Sequence, residues 1–408
     1  MAGLGVVGFF AQAGWATLNF SALPMWVQFH LHQGRYLGFI VGAFMVTEAV
    51  FRPFLGSLSD RIGRRPVILA GPAVSACTSV ATLFMPNAFL LIPLRAIDGI
   101  GLAGFWTPAL AIVGDTISEE HRSTAMSVLN GSAMAGIAMG WLFGGLANDV
   151  THTLAGAFYF VALIFVLTFA AGVLLLPRAA ERRGRAGVGL GLLHLPEMRE
   201  VLVILRSVPD MLVLNLIVFT AIGLIMPIMK LYAVERYGLS ETRIGVMVAP
   251  AAAALGIGAV PLGRLSDRWG ALNSVRCGLV LCAFGMWLEA MILNLWVAVA
   301  AAVVVGVGFM ASYPAWMAIA SEAAPEERRG RTLGAVGMAE SIGAIFGAAL
   351  GPLIYASHWN PLPRLDVTHY NAPFYLSAAL LSSGVILVFT WVAARRGRVL
   401  RSLEAEMN

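Results

Sequence analysis

Charged residues are scarce in this 408-residue chain, where Asp, Glu, Lys and Arg together make up only 12%. An ordinary soluble domain carries about twice that share of charge. Hydrophobic residues account for 59% of the chain, and the mean hydropathy is +0.81. That is more apolar surface than one compact water-soluble core can bury. The composition therefore excludes a soluble globular protein and predicts one whose solvent is the lipid bilayer.

Cysteine is also scarce. The three cysteines, Cys77, Cys277 and Cys282, lie inside apolar runs, so the sequence offers neither a disulfide framework nor a spaced metal site. His30 and His32 lack a third ligand, and no nucleotide loop, zinc motif or nucleophile elbow stands out. We therefore expect no metal, no cofactor and no enzymatic activity.

Long apolar runs, separated by charged or turn-rich breaks, predict twelve membrane-spanning helices. A helix needs about 20 residues to cross a hydrocarbon layer about 30 Å thick, and the chain has room for twelve. The predicted spans are residues 4–27, 36–56, 66–85, 88–114, 122–147, 155–177, 209–233, 243–262, 273–293, 295–321, 330–356 and 371–394. The first has no basic region before it, so we expect a retained span and not a cleaved signal.

The basic residues are distributed asymmetrically around these spans. With both termini placed in the cytoplasm, 20 of the 27 basic residues fall on the cytoplasmic side and five outside, which is the asymmetry that orients membrane proteins. They form no stripe for nucleic acid, so we expect no nucleic-acid partner. We predict a monomer in the inner (plasma) membrane with both termini cytoplasmic. Lys230, the only lysine, is expected to snorkel to the outer interface.

The two halves of the chain repeat each other at an offset of 207 residues. Residues 56–63 (GSLSDRIG) match residues 263–270 (GRLSDRWG). The same offset pairs Gly38 with Gly245, Gly99 with Gly306, Gly101 with Gly308, Asp115 with Glu322, Gly136 with Gly343, Gly140 with Gly347 and Gly144 with Gly351. Each half holds six spans, so we expect a pseudo-two-fold axis along the membrane normal and a site between the halves.

The repeat and one long interruption define the predicted domains. The interruption carries six arginines and an apolar stretch at 190–195, which is typical of a linker with a membrane-surface helix. The predicted domains are an N-terminal six-helix bundle at 1–177, a cytoplasmic linker at 178–208, a C-terminal six-helix bundle at 209–394 and a cytoplasmic tail at 395–408.

The loop after the second span carries a recognisable motif. It contains Gly56, Leu58, Asp60, Arg61, Gly63, Arg64 and Arg65. This pattern closely resembles the signature loop of the major facilitator superfamily, and its degenerate copy follows the eighth span. The resemblance covers essentially the whole chain: twelve spans, two halves of six, a basic central linker and the motif in both copies. It implies an all-α polytopic membrane protein whose twelve helices form two six-helix pseudo-symmetric bundles.

The same resemblance implies a cytoplasmic gate. In the family the loop aspartate latches against the neighbouring helix of the other half and favours the outward-open state. The implied gating residues are Gly56, Asp60, Arg61, Gly63, Arg64 and Asp115, with Asp267, Arg268 and Glu322 as a weaker echo in the second copy. The alternative is that these arginines only anchor loops by positive-inside charge.

A second motif lies in the fourth span. Leu91, Arg95, Asp98, Gly99 and Ala103 resemble the superfamily pattern L-x-x-x-R-x-x-Q-G-x-x-x-A, with Asp98 at the usual glutamine. Arg95 and Asp98 share one helical face about 10–15 Å deep. Charge at that depth is costly and is normally kept for an ion or substrate pathway, although a structural ion pair is the alternative. In the family this arginine is linked with proton transfer.

A third motif lies in the fifth span, where Gly136, Gly140, Gly144 and Gly145 resemble the G-x-x-x-G-P-x-x-G-G pattern of the antiporter branch. Trp141 stands where that pattern has proline. Close helix packing through small residues could by itself account for the glycines. The family pattern favours antiport.

Two further carboxylates lie inside predicted spans. Glu48 has Arg52 four residues on, so a structural pair and a role in proton coupling are both open. Glu340 has no basic residue within one turn, and such a carboxylate could be neutral when facing lipid and charged when facing water. Glu340 is therefore the leading proton-site hypothesis, with Arg95 and Asp98 as the second site.

Cavity residues are predicted from the helices that line the pathway in the family. The candidates are Gln12, Trp15, Asn19, Phe105, Trp106, Asn215, Met226, Tyr313 and Trp316. They suggest a mostly apolar, aromatic pocket, although such residues are most often packing in membrane helices. We predict a secondary transporter that couples protons to export of amphipathic drugs or small metabolites. The alternatives are an uptake symporter or facilitator for a sugar or organic acid, and a lysolipid translocase.

Overall fold

The computed structural model describes residues 2–116, 119–176, 209–248, 268–322, 329–357, 368 and 370–392. Within these ranges the chain is helical apart from short turns, and they contain no strand. The helices are α1 Ala2–Ala16, α2 Leu23–Met25, α3 Leu37–Ile62, α4 Arg64–Thr82, α5 Ala88–Thr116, α6 Glu119–Thr151, α7 Ala155–Leu175, α8 Pro209–Ile225, α9 Met229–Tyr237, α10 Ala271–Met291, α11 Leu295–Glu322, α12 Arg329–Ala356 and α13 Ala372–Leu387. Residues 241–248 are also helical.

Seven helices of the described ranges are long and apolar enough to cross a membrane, and α8 with α9 gives an eighth if the bent pair is one span. Eleven predicted spans coincide with helical segments. The remaining one, 243–262, is described only to residue 248, where it is helical. The prediction of an all-α polytopic membrane protein is therefore confirmed.

The first span is not a uniform α-helix. Between α1 and α2 the chain forms a π-helical turn at Thr17–Ala22, and a second π-helical turn follows α2 at Trp26–His30. All six residues of the first turn are buried. Single π-helical turns are rare and occur frequently at functional sites.

The sequence repeat is present in the backbone. Gly63 has φ 98° and Gly270, 207 residues later, has φ 83°. Both values lie in the region that only glycine adopts readily, so each copy of the loop motif turns the chain in the same way. A Cβ on Gly71 would lie 2.7 Å from the carbonyl oxygen of Gly101, and this close approach of two helices recurs in the second copy.

The glycines of the third motif also pack alike in both copies. A Cβ on Gly136 would collide with the backbone of α1, and a Cβ on Gly343 would lie 2.6 Å from the carbonyl oxygen of Leu216 in α8. The glycine one turn later in each copy makes the equivalent approach. Close helix packing through small residues therefore accounts for the spacing of these glycines.

Packing divides the chain into two compact units, which we describe separately. The first comprises Met1–Leu190, Met226–Gly256 and Ala348–Ser357, and the second comprises Gly191–Ile225, Ile257–Gly347 and His358–Asn408. The predicted bundle boundaries, 1–177 and 209–394, stay a prediction. The predicted linker and tail, 178–208 and 395–408, lie outside the described residues.

Candidate transport site

A carboxylate in the second unit lies among neutral donors. Glu340 projects from α12 and is about half-buried. Asn215 of α8 donates from Nδ2 to Glu340 Oε1 at 3.1 Å, and the Tyr313 hydroxyl of α11 donates to Oε2 at 3.3 Å. Three helices distant in sequence therefore meet at one acidic group.

Aromatic rings pack around Tyr313, one of the two hydrogen-bond partners of Glu340. Phe309 stacks on Tyr313 with ring centroids 5.3 Å apart, and Phe219 meets both rings edge-on. These three aromatic residues line a pocket together with Asn215 and Trp316. Offset stacks and edge contacts are the favoured arrangements of aromatic pairs, so the wall of the pocket is well packed.

No basic side chain pairs with Glu340 among the described residues. Its hydrogen-bond partners are an amide and a phenol, neither of which carries positive charge. A carboxylate in such surroundings is balanced by a proton or by a cationic group of a ligand. The Glu340 carboxylate can therefore accept either one.

The first unit contains a fully buried ion pair. Arg95 and Asp98 of α5 form a charge-assisted hydrogen bond, and their side chains are only 1% and 3% exposed. The Arg95 guanidinium also lies 4.6 Å from the centre of the Phe44 ring and donates to Asn19 Oδ1 at 2.8 Å. Asn19 belongs to the π-helical turn of the first span.

Hydroxyl groups of α4 complete the shell of Asp98. Ser75 Oγ and Thr78 Oγ1 both donate to Asp98 Oδ1, at 2.5 and 3.2 Å. Their spacing of three residues puts both on the face of α4 that packs on α5. Since Asp98 accepts at both oxygens, the geometry is that of a structural ion pair, and a role in proton coupling stays a prediction.

Glu48 forms the pair that its spacing predicts. Arg52 Nη2 donates to Glu48 Oε1 within α3. The Arg52 side chain is 49% exposed, so this pair is accessible, unlike the buried pair of α5. A proton-coupling role for Glu48 remains untested by this contact.

One arginine of the loop motif, Arg65, makes a contact that the sequence analysis did not predict. Arg64 lies 3.8 Å from Asp60, whose side chain is 66% exposed. Arg65, in contrast, is buried and donates to the carbonyl oxygen of Val173 near the end of α7. Arg61 and Arg268 are exposed. The predicted gating carboxylates Asp115, Asp267 and Glu322 lie outside the described side chains, so the gating set stays a prediction.

The predicted cavity residues separate into two groups. Asn215, Tyr313 and Trp316 line the pocket of the second unit. The remaining candidates lie in the first unit. Phe105 is fully buried in an apolar cluster, and Trp106 packs against that cluster. Gln12 and Asn19 are buried, the Trp15 ring meets the Phe20 ring edge-on, and Met226 is exposed. Their roles as cavity residues stay a prediction.

The expectation for Lys230 is wrong. Its side chain is 1% exposed and its Nζ lies 2.6 Å from Glu241 Oε2. The lysine does not reach solvent because α9 turns it toward the first span, where Ser21 accepts a second hydrogen bond. Sequence reasoning missed this pair because its members are 11 residues apart, on either side of a helix end. The one available signal was a single lysine followed 11 residues later by a carboxylate in the short loop between two predicted spans.

Comparisons with known proteins agree with this architecture. The family model of the Major Facilitator Superfamily matches residues 4–209 and 211–407. The class B tetracycline resistance protein of Escherichia coli is 25% identical over 369 residues, covering 86% of this chain and 87% of that protein. Multidrug resistance protein MdtG of Citrobacter koseri is 25% identical over 404 residues, covering 96% and 94%. Multidrug resistance protein 1 of Bacillus subtilis is 24% identical over 375 residues, covering 90% and 89%.

Solved structures share the fold. The nucleoside transporter NupG superposes with a TM-score of 0.77 at 11% identity, covering 96% of this chain and 98% of that chain. A bacterial homologue of the human lysosomal transporter Spinster gives 0.75 at 16%, covering 95% of each chain. Helical spans, a repeated architecture and these likenesses define a membrane transporter and not an enzyme. The chain belongs to the Major Facilitator Superfamily.

Proposed function

We propose that this transporter couples protons to the export of amphipathic, cationic drugs or small metabolites by alternating access. The observation that carries the proposal is Glu340, a carboxylate without a described counter-ion that is hydrogen-bonded to Asn215 and Tyr313, two residues that line an aromatic pocket. Aromatic faces attract cations and large apolar groups, and the carboxylate supplies the opposite charge. The pocket thus suits a flat, apolar ligand with one positive charge.

The mechanism is competition for one carboxylate. A proton on Glu340 removes the negative charge that a cationic drug needs, so protonation and drug binding exclude each other. When Glu340 takes up a proton from one side of the membrane, the drug is released to that same side, so one proton is exchanged for one drug molecule. The names of the multidrug and tetracycline resistance relatives support export over uptake.

Orientation and assembly are part of the same proposal. The excess of arginine on one side of the spans supports cytoplasmic termini in a bacterial inner membrane. The protein would act as a monomer whose partners are the bilayer, protons and the small-molecule substrate, without nucleic acid.

The test is accumulation of a lipophilic cation in everted vesicles that contain the protein, with and without a proton ionophore. We expect accumulation that the ionophore abolishes, and its loss in Glu340→Gln. Glu289→Gln is the matched comparison, because it makes the same chemical change on α10 of the same unit without touching the hydrogen bonds of Glu340 to Asn215 and Tyr313; loss of coupling in Glu289→Gln alone would move the proton site to that carboxylate. Normal coupled transport by Glu340→Gln would refute the assignment, and ionophore-insensitive equilibration of a sugar or organic acid would refute drug export.

A further inference from the structure

A buried cluster holds the outer part of the seventh span. Lys230 of α9 lies 2.6 Å from Glu241 and also donates to Ser21 Oγ. Asn148 of α6 donates to Glu241 Oε1 at 2.9 Å, and its own Oδ1 accepts from the backbone N–H of Ala157 at 2.8 Å. Both charges are therefore paired and hydrogen-bonded, which is the condition under which buried charge is tolerated.

A second carboxylate of the same segment is held in the same way. Glu235 of α9 accepts from Gln28 Nε2 at 2.9 Å and from the Tyr355 hydroxyl at 2.6 Å. Thr242 donates to Asp149. Residues 229–242 of the second repeat are therefore bound by side-chain hydrogen bonds to Gln28 and Asp149 of the first repeat and to Tyr355 of the second, all within one compact unit.

Backbone packing beside the cluster is very close. A Cβ on Gly245 would lie 2.8 Å from the carbonyl oxygen of Trp141, and the repeat-related Gly38 would meet the carbonyl oxygen of Ala348 at 2.7 Å. Ile244 is 4% exposed and packs in a cluster with Trp141. The helices that meet at these two glycines leave no gap wide enough for a water molecule between their backbones.

The π-helical turn Thr17–Ala22 joins this cluster to the buried ion pair of α5. Asn19 Oδ1 accepts from Arg95, and Ser21 Oγ accepts from Lys230. The two acceptors are two residues apart in one turn. Rewinding a π turn to an α-helix removes one residue from the turn and rotates one side of the helix against the other by about 100°. Asn19 and Ser21 could not then keep both partners.

We propose that the π-helical turn Thr17–Ala22 couples the Arg95–Asp98 ion pair to an outer lock formed by Lys230, Glu241, Ser21 and Asn148. Asn19 and Ser21 are the positioning residues of this coupling. The proposal rests on the proposed function in one respect, since it takes outward opening as a step of transport. Opening requires Lys230 and Glu241 to leave their buried pairing together, because either charge left buried alone would be uncompensated.

The experiment measures how fast an external, membrane-impermeant maleimide labels Ile244→Cys in intact cells, with the three native cysteines replaced by alanine. Lys230→Gln removes the charge that pairs with Glu241 and bonds to Ser21, whereas Ser21→Ala removes only the bond to Lys230. We expect each variant to raise the labelling rate about tenfold or more. Lys230→Gln combined with Glu241→Gln should label more slowly than Lys230→Gln alone, because no uncompensated buried charge remains. Thr151→Cys, which is exposed, should label rapidly in every background.

The coupling is tested by Asn19→Ala, which touches Arg95 and not the lock. We expect it to raise labelling of Ile244→Cys about tenfold. Thr17→Val is the matched control: Thr17 lies in the same turn and is as deeply buried, but its hydroxyl bonds only to Ala13 O within the first span. This control should stay within about twofold of the parent.

Several outcomes would overturn the proposal. Unchanged labelling in Lys230→Gln and Ser21→Ala removes the lock, and Ser21→Ala alone decides this if Lys230→Gln does not reach the membrane. An effect of the lock variants without one of Asn19→Ala removes the coupling, as does an equal effect of Thr17→Val. Labelling does not depend on drug transport, so the labelling rates can be interpreted even if the transport assay fails. Absence of external labelling at Thr151→Cys would mean that the membrane orientation on which the outer lock depends is wrong.

Discussion

Removing Asp98 should destabilise the protein more than any exposed charge could. Asp98→Ala leaves the Arg95 guanidinium 1% exposed without a counter-ion, and also leaves Ser75 and Thr78 without their common acceptor. Breaking one partner of a buried pair costs about 3–5 kcal/mol. A domain of about 150–250 residues loses about 2–4 °C of Tm for each kcal/mol of stability, so the expected loss of Tm is on the order of 10 °C.

The assay is thermal unfolding in detergent of protein in which the exposed Cys77 and Cys277 are replaced by alanine, followed by a thiol-reactive dye that reports exposure of the buried Cys282. The informative partner is the double variant Arg95→Met with Asp98→Leu. Replacing a buried pair by apolar residues of similar volume is often neutral for stability, so Tm should recover most of the loss, less the cost of leaving Ser75, Thr78 and Asn19 without these partners. A loss below about 1 °C in Asp98→Ala would refute the energetic reasoning.

The double variant also separates the two interpretations of the pair. If Arg95 and Asp98 are only structural, drug transport should return together with stability. If they take part in proton transfer, the restored Tm should be accompanied by uncoupled or absent transport in everted vesicles. Either result is interpretable because stability and transport are both measured for the same variant.

Two further predictions concern packing and the pocket. Gly71→Val should lower the yield and Tm of the folded protein, because its Cβ would approach the Gly101 carbonyl oxygen to 2.7 Å. Gly42→Val should lower neither, because the space around its Cβ is open. Equal Tm values for the two variants in the same dye assay would contradict this. Tyr313→Phe keeps the aromatic wall but removes one hydrogen-bond donor to Glu340, a bond worth about 0.5–1.5 kcal/mol. The KM for a lipophilic cation should therefore rise about two- to tenfold, while accumulation of the cation stays ionophore-sensitive. An unchanged KM would remove Tyr313 from the binding site.

Much of the fold was predictable because the bilayer imposes strict local rules. Span length, loop charge and the 207-residue repeat are all local or periodic signals, so helix positions and the family follow from them. The repeat even extends to packing, where Gly71 and Gly101 meet as Gly278 and Gly308 do. Glycine at a helix crossing is recognisable in sequence because no other residue permits the same approach.

The candidate site was predictable only in part. Glu340 stood out because an unpaired carboxylate inside an apolar run is costly. Its partners Asn215 and Tyr313 were two of nine cavity candidates, and nothing in their spacing indicated that both would bond to that carboxylate. Asn19 likewise gave no sign of bonding to Arg95, which lies 76 residues away.

The sequence by itself determined that this chain is a helical membrane transporter of the Major Facilitator Superfamily, because hydrophobic length, charge asymmetry and repeat are properties of the chain alone. Only the tertiary structure decided which polar groups pair. Lys230 shows the reason: from sequence it was an interfacial lysine, whereas packing buries it against Glu241 and Ser21. Inside a membrane each buried polar group must find a partner, and that partner is chosen by helix packing and not by neighbours along the chain.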